Sequence, residues 1–166
     1  MHHLPRRSFL ILASAAILSA CASTVPVIPK SANAPQALTD EEILVAINAV
    51  RAANGSPPWT YNQALETAAR SQARLMAQKN TMSHDLGVTL RERVTAAGYI
   101  GAVGENVAKG YPTLQGAIEG WMNSSGHRST LLSRKFTEFG LAAAPGANGK
   151  MYWAMIAGGS FDAWRV

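Results

Sequence analysis

The sequence predicts an α+β domain, and three observations carry that prediction. Thr39-Asp40-Glu41-Glu42 and Thr89-Leu90-Arg91-Glu92 are capping boxes, in which a threonine and the glutamate three residues on satisfy each other's backbone donors at a helix start. Apolar residues recur at helical spacing after each of them. The period becomes strand-like only near the end, so helices come first and a hairpin last, unlike a chain of βαβ units.

Taken in order, Ile43, Ile47 and Val50 place a first helix from Thr39 to about Ala53. It stops at Asn54-Gly55, and Pro57-Pro58 forbids continuation. Asn62 caps a second helix through about Asn80, with Leu65, Ala68, Ala69, Ala73 and Met76 as its apolar stripe. Alanine at several of these positions lets a neighbour pack closely. A short third helix opens at Thr89 and ends at Gly98. A fourth covers Thr113–Asn123 after Pro112, followed by a turn and a helical piece near Gly126–Leu132. Glu138–Ala144 and Lys150–Gly158 read as strands, joined by the turn formers Pro145-Gly146-Ala147-Asn148-Gly149. Trp121 and Trp153 read as core, and Arg70, Arg74 and Lys79 as a solvated helix face.

Ahead of this domain lies an export signal. Arg6 and Arg7, the apolar run Phe9–Leu18 and the small residues Ser19 and Ala20 have the three-part layout of a removable signal peptide, residues 1–20. The apolar run is about half of the roughly 20 residues a membrane-spanning helix needs. Leu18-Ser19-Ala20-Cys21 resembles the lipobox of bacterial lipoproteins, in which the cysteine thiol receives a diacylglycerol and becomes the first mature residue. At about 0.8 kcal/mol per buried methylene, two or three acyl chains would anchor the protein permanently. The competing reading is ordinary cleavage after Ala22, which discards the cysteine. Arg6-Arg7-Ser8-Phe9-Leu10 also resembles a twin-arginine signal, so the export route stays open. Residues 21–38 follow as the lipidated Cys21 and a tether bearing Pro26, Pro29 and Pro35, able to reach on the order of 50 Å. Residues 39–166 form one domain, expected to be monomeric.

Composition narrows the function. Cys21 is the only cysteine, so the mature domain has no disulfide of its own. The formal net charge is +5. Removing Arg6 and Arg7 lowers it to +3, and no run of five or six like charges exists, so nucleic acid is not an expected partner.

Chemistry-bearing residues are few. His2 and His3 leave with the signal, which keeps His84 and His127, both in polar, turn-like contexts. Glu105 sits in Gly104-Glu105-Asn106-Val107-Ala108, whose apolar end suggests partial burial. A partly buried carboxylate needs a partner, and two imidazoles could supply one or share a metal with it. Spacing alone argues weakly for metal, since His84 and His127 are 43 residues apart and no HxxH or HExxH pattern occurs. Ser124 and Ser125 beside His127 invite a serine-hydrolase reading, but no Gly-x-Ser-x-Gly elbow is present.

Seven motifs in order are more specific than any of these alone. Asn48-x-x-Arg51, Ser83-His84, Leu90-x-x-Arg93-x-x-x-Ala97-Gly98-Tyr99 and Gly104-Glu105-Asn106-Val107-Ala108 precede Trp121-Met122-Asn123-Ser124-Ser125-Gly126-His127-Arg128, Phe139-Gly140-Leu141 and Tyr152-Trp153. Together they resemble the bacterial branch of the CAP superfamily, the SCP-like domains related to cysteine-rich secretory proteins, antigen five and pathogenesis-related proteins. The resemblance implies a three-layer α-β-α sandwich with a central antiparallel sheet and a polar cleft of histidines and glutamates. It places His84, Glu105 and His127 on three of the four cleft positions, and Ser124 where eukaryotic members have a second glutamate. Asn106, Arg128 and Trp121 fall on supporting positions, as does Arg51. Two departures concern the cleft rim: Thr130-Leu131-Leu132 where Asn-Ile-Leu is usual, and Met155 where a glutamine is usual.

The expected function is a lipid-anchored, extracytoplasmic binding module whose cleft takes a divalent metal such as Zn²⁺ or a small ligand. The alternative is a metal-dependent hydrolase acting on peptides or an envelope component, with Glu105 as candidate base. The membrane, through Cys21, and an unidentified small ligand or envelope component are the expected partners.

Overall fold

The computed structural model describes residues 38–165. The predicted signal segment, Cys21 and nearly all of the tether lie outside these residues. Among the described residues there are five helices: α1 Asp40–Ala53, α2 Gln63–Lys79, α3 Leu90–Ala96, α4 Leu114–Asn123 and α5 Ser125–Leu132. Four strands accompany them, β1 Thr60–Tyr61, β2 Ala102–Lys109, β3 Glu138–Pro145 and β4 Met151–Gly159, and a 3₁₀ turn covers Phe161–Trp164. Both capping boxes form as the sequence predicts, at Thr39 with Glu42 and at Thr89 with Glu92. Asn62 caps α2 by accepting from the N–H groups of Ala64 and Leu65. None of the described helices is long and apolar enough to cross a membrane.

The strands form one sheet in the order β1-β3-β4-β2. β3 and β2 each pair antiparallel with β4, whereas β1 pairs parallel with β3 through two residues, Thr60 with Glu138 and Tyr61 with Phe139. The expected antiparallel sheet is therefore mixed at one margin. β1 is a short arm, ended when Asn62 turns the chain into α2. The larger difference is β2, a strand that the sequence pattern does not predict. Its middle residues, Glu105 and Asn106, are both buried and polar, so the apolar/polar alternation that marks a strand is missing.

Successive strand residues point to opposite faces, and each face carries its own helical layer. Trp153, Met155 and Ala157 of β4 join α1, α4 and α5 in a core rich in aromatics: Trp59, Trp121, Phe136 and Phe139. Tyr152, Ala154 and Ile156 join α2 and α3 in a core rich in alanine, with Ala68, Ala69, Ala73 and Ala77 along one stripe of α2. This is the three-layer arrangement. Arg51 is fully buried in the aromatic layer, its guanidinium stacked 3.7 Å from the Trp59 ring centroid. It donates to the carbonyls of Pro57, Leu131 and Ser133, tying α1 to the end of α5.

Candidate functional site

β2 is an outer strand of the sheet, and its adjacent residues Glu105 and Asn106 serve opposite faces. Glu105 lies with Val107 on the side of α2 and α3, and Asn106 lies with Ala108 on the side of α4 and α5. Each holds one of the two histidines.

On the α3 side, Glu105 is buried, with 2% of its side chain exposed. Its Oε2 accepts from Arg93 Nη2 at 2.6 Å, and Arg93 is equally buried. Its Oε1 lies 2.9 Å from His84 Nδ1. An ionised carboxylate can only accept, so it fixes the proton of a neutral His84 on Nδ1 and leaves the Nε2 lone pair directed away from it. His84 itself is 59% exposed at the side chain. The loop carrying it is pinned from behind: Gln72 Nε2 donates to the Ser83 carbonyl, and Arg93 donates to the carbonyls of His84 and Val88.

On the α5 side, Asn106 Nδ2 donates to the backbone carbonyl of His127 at 2.9 Å. Arg128 Nη1 donates to the Met122 carbonyl, closing the end of α4. Trp121 is buried and donates from its indole to the Val107 carbonyl, joining α4 to β2. Ser124 is the joint between α4 and α5 and makes no side-chain capping bond. The rings of His84 and His127 end 6.2 Å apart, centroid to centroid, inclined at 42°. Burial, and then the neighbouring His84, hold the His127 imidazole below its ordinary pKa, so it stays neutral further into the acid range.

The two histidines thus converge, while Glu105 stands behind His84. Among the described residues no group of three or more His, Cys, Asp or Glu side chains is placed to hold an ion. The chain's own donors toward a metal are two imidazoles, and Glu105 is occupied at both oxygens. Arg93 is the residue whose role the sequence left unassigned. A charged side chain one position after a capping box reads as solvent-facing, and only the buried carboxylate across from it explains its burial.

Some features near the cleft remain unpaired. Asn106 Oδ1 and Arg93 Nε are buried without a hydrogen-bond partner. Met155 is the register partner of Asn106 on β4, so the thioether that replaces the usual glutamine offers that oxygen no donor. A cavity of about 590 Å³ lies elsewhere, between α1, α2 and β3, and contains neither histidine.

An α-β-α sandwich with two imidazoles converging across an outer strand, one of them oriented by a buried Glu–Arg pair, defines an SCP-like domain. The chain belongs to the CAP, or cysteine-rich secretory protein, family, whose model matches residues 44–156. It is 30% identical over 105 residues to the uncharacterized protein YkwD of Bacillus subtilis, covering 61% of this chain and 41% of that one. It is 31% identical over 111 residues to the uncharacterized membrane protein YlbC of the same organism, covering 64% and 32%. The chain thus spans less than half the length of these curated relatives. Among solved structures, an extracellular SCP-domain protein from Bacillus anthracis superposes with a TM-score of 0.64 at 25% identity, over 72% of this chain and 40% of that one. An outer surface protein of Borrelia burgdorferi matches in fold, with a TM-score of 0.64 at 19% identity over 72% and 91%.

Proposed function

We propose that the protein is an exported, lipid-anchored CAP-domain binding module whose His84 and His127 jointly take a divalent metal or a small polar ligand. One observation carries this reading. A buried Arg93–Glu105 ion pair is spent on orienting an exposed imidazole toward a second imidazole. Burying two charges is expensive, and folding alone would be served as well by apolar residues of the same volume.

His84 and His127 would hold the metal, and Zn²⁺ suits imidazole donors. When bound, it would supply a positive charge able to polarise a ligand oxygen, with positions left for water or the ligand's own atoms. Glu105 would act through His84 by fixing its tautomer and ring orientation. This favours binding over turnover, because the candidate base, Glu105, is buried and held behind His84 by Arg93 instead of standing free in the cleft.

Calorimetric titration with Zn²⁺ tests the reading. Measurable binding is expected for the wild type, with loss in both His84→Ala and His127→Ala. Glu105→Gln should weaken it roughly 10- to 100-fold, as substitutions behind a ligating histidine do. Affinity should also fall below about pH 6, as imidazoles protonate. Equal, negligible heats from wild type and variants would remove the metal reading. Export and anchoring are supported by the signal-like start of the sequence and by the extracellular relative from Bacillus anthracis. Intact mass checks them: a diacylated chain beginning at Cys21 is expected, and an unmodified chain beginning at Ser23 would overturn the anchor.

A further inference from the structure

Three large apolar side chains stand exposed at the end of the sheet where β2 begins and β4 ends. Ile100, just before β2, is 88% exposed. Phe161 and Trp164, in the 3₁₀ turn after β4, are 49% and 44% exposed. Ala102 pairs with Gly159, so strand pairing brings both segments to the same sheet end. Arg91 joins them: its Nη1 donates to the Gly101 carbonyl and its guanidinium lies 5.7 Å from the Phe161 ring centroid. The Trp164 ring rests against Phe136 at 5.3 Å, with the Lys135 ammonium 4.5 Å from its centroid. Arg165 is exposed beside them, paired with Asp162 at 3.3 Å.

We infer that this face docks on a bilayer surface bearing anionic headgroups. A soluble domain seldom leaves isoleucine, phenylalanine and tryptophan exposed together unless something covers them. The cations choose among the possible covers. Arg91 and Lys135 each stack against one of the exposed rings, so aromatic and positive groups are interleaved rather than segregated. That is the chemistry of the lipid interface, where aromatic rings settle at headgroup depth and each nearby Lys or Arg gains from anionic lipid. Asp162 is the single carboxylate in the turn, and Arg165 answers it. Asp40 accepts from Gln63 at the start of α2, so the described chain enters the domain beside β1. The inference is independent of the histidine cleft.

Trp164 makes the test specific. Trp59, Trp121 and Trp153 are at most 2% exposed, so among the four tryptophans only Trp164 can meet lipid. The chain carrying Cys21→Ser, which has no acylation point, is mixed with vesicles of phosphatidylcholine alone or with one-third phosphatidylglycerol. Co-sedimentation with the anionic vesicles, a blue shift of Trp164 emission and its quenching by brominated acyl chains are expected. Ile100→Asp, at a position too exposed to affect folding, should reduce binding tenfold or more. Arg91→Gln and Lys135→Gln should each reduce it about fivefold, the share expected of one cation at an anionic surface. Failure to sediment with anionic vesicles overturns the inference. So does sedimentation that leaves Trp164 unquenched, because the contact then lies elsewhere. Ile100-dependent dimerisation without lipid overturns it too, since a second copy would be the occupant.

Discussion

The two helical layers that sandwich the sheet are built by opposite means. The layer of α1, α4 and α5 fills its volume with large side chains, Trp59, Trp121, Trp153 and Phe139, all at most 2% exposed. The layer of α2 and α3 fills its volume by bringing backbones together, with alanines along α2 and a glycine, Gly140, facing them from β3. A core of large side chains is sensitive to lost volume, and a core of close backbones to added volume. Each layer also presents one half of the cleft. His84 belongs to the alanine layer through Glu105 and Arg93, and His127 to the aromatic layer through Asn106. The cleft therefore holds its geometry only while both layers keep their spacing from β2.

The largest effect should come from a single methyl on the alanine side. A Cβ built on Gly140 would lie well inside van der Waals contact distance of the Glu66 backbone nitrogen, and no side-chain rotation can relieve that. Gly140→Ala must push α2 off the sheet, and a loss at or above about 4 kcal/mol is expected in urea unfolding, beyond usual overpacking. A loss below about 1 kcal/mol would show that the layer is more yielding than its geometry suggests. Trp121→Ala, on the aromatic side, should cost about 3–5 kcal/mol through the cavity it leaves and the lost indole bond to Val107. Ala73→Leu reverses the experiment: overpacking the alanine layer should destabilise by about 1–3 kcal/mol.

Between these lies the ion pair at the heart of the cleft. Arg93→Ala leaves the Glu105 carboxylate buried without its cation, and breaking such a pair costs about 3–5 kcal/mol. Adding Glu105→Gln should recover much of that loss, because the stranded charge is gone. A double variant as unstable as the single one would mean that Arg93 acts through the Val88 and His84 carbonyls instead.

What the sequence made legible follows the same division. The helices announced themselves, because capping boxes and apolar stripes are local and α1, α2 and α3 obey them within a residue or two. His84, Glu105 and His127 could be singled out as polar residues in contexts that a core would not choose. β2 could not be read, since a strand whose central residues are Glu105 and Asn106 matches no strand template until its two faces are known to carry different layers. Arg93 was hidden for a related reason. Its burial is set by a carboxylate 12 residues on that only the fold brings opposite.

The smallest effect concerns the pH dependence of stability, and it isolates the aromatic half of the cleft. His127 has its folded pKa lowered, first by burial and then by His84. Between that lowered value and the ordinary imidazole value of about 6.5, the unfolded chain binds more protons than the native one. Stability must therefore rise with pH through this window and fall as acid is added. His84 is the exposed ring of the pair, its Nδ1 2.9 Å from Glu105. Replacing His127 by Gln should flatten the slope of unfolding free energy against pH from just above 6.5 downward, measured by urea titration at several pH values. Replacing His84 by Gln should leave most of that slope, because burial rather than the neighbouring ring is the larger cause. If His84→Gln flattens the profile as much as His127→Gln does, the two imidazoles titrate as one unit, and the cleft is a tighter pair than its 6.2 Å spacing suggests.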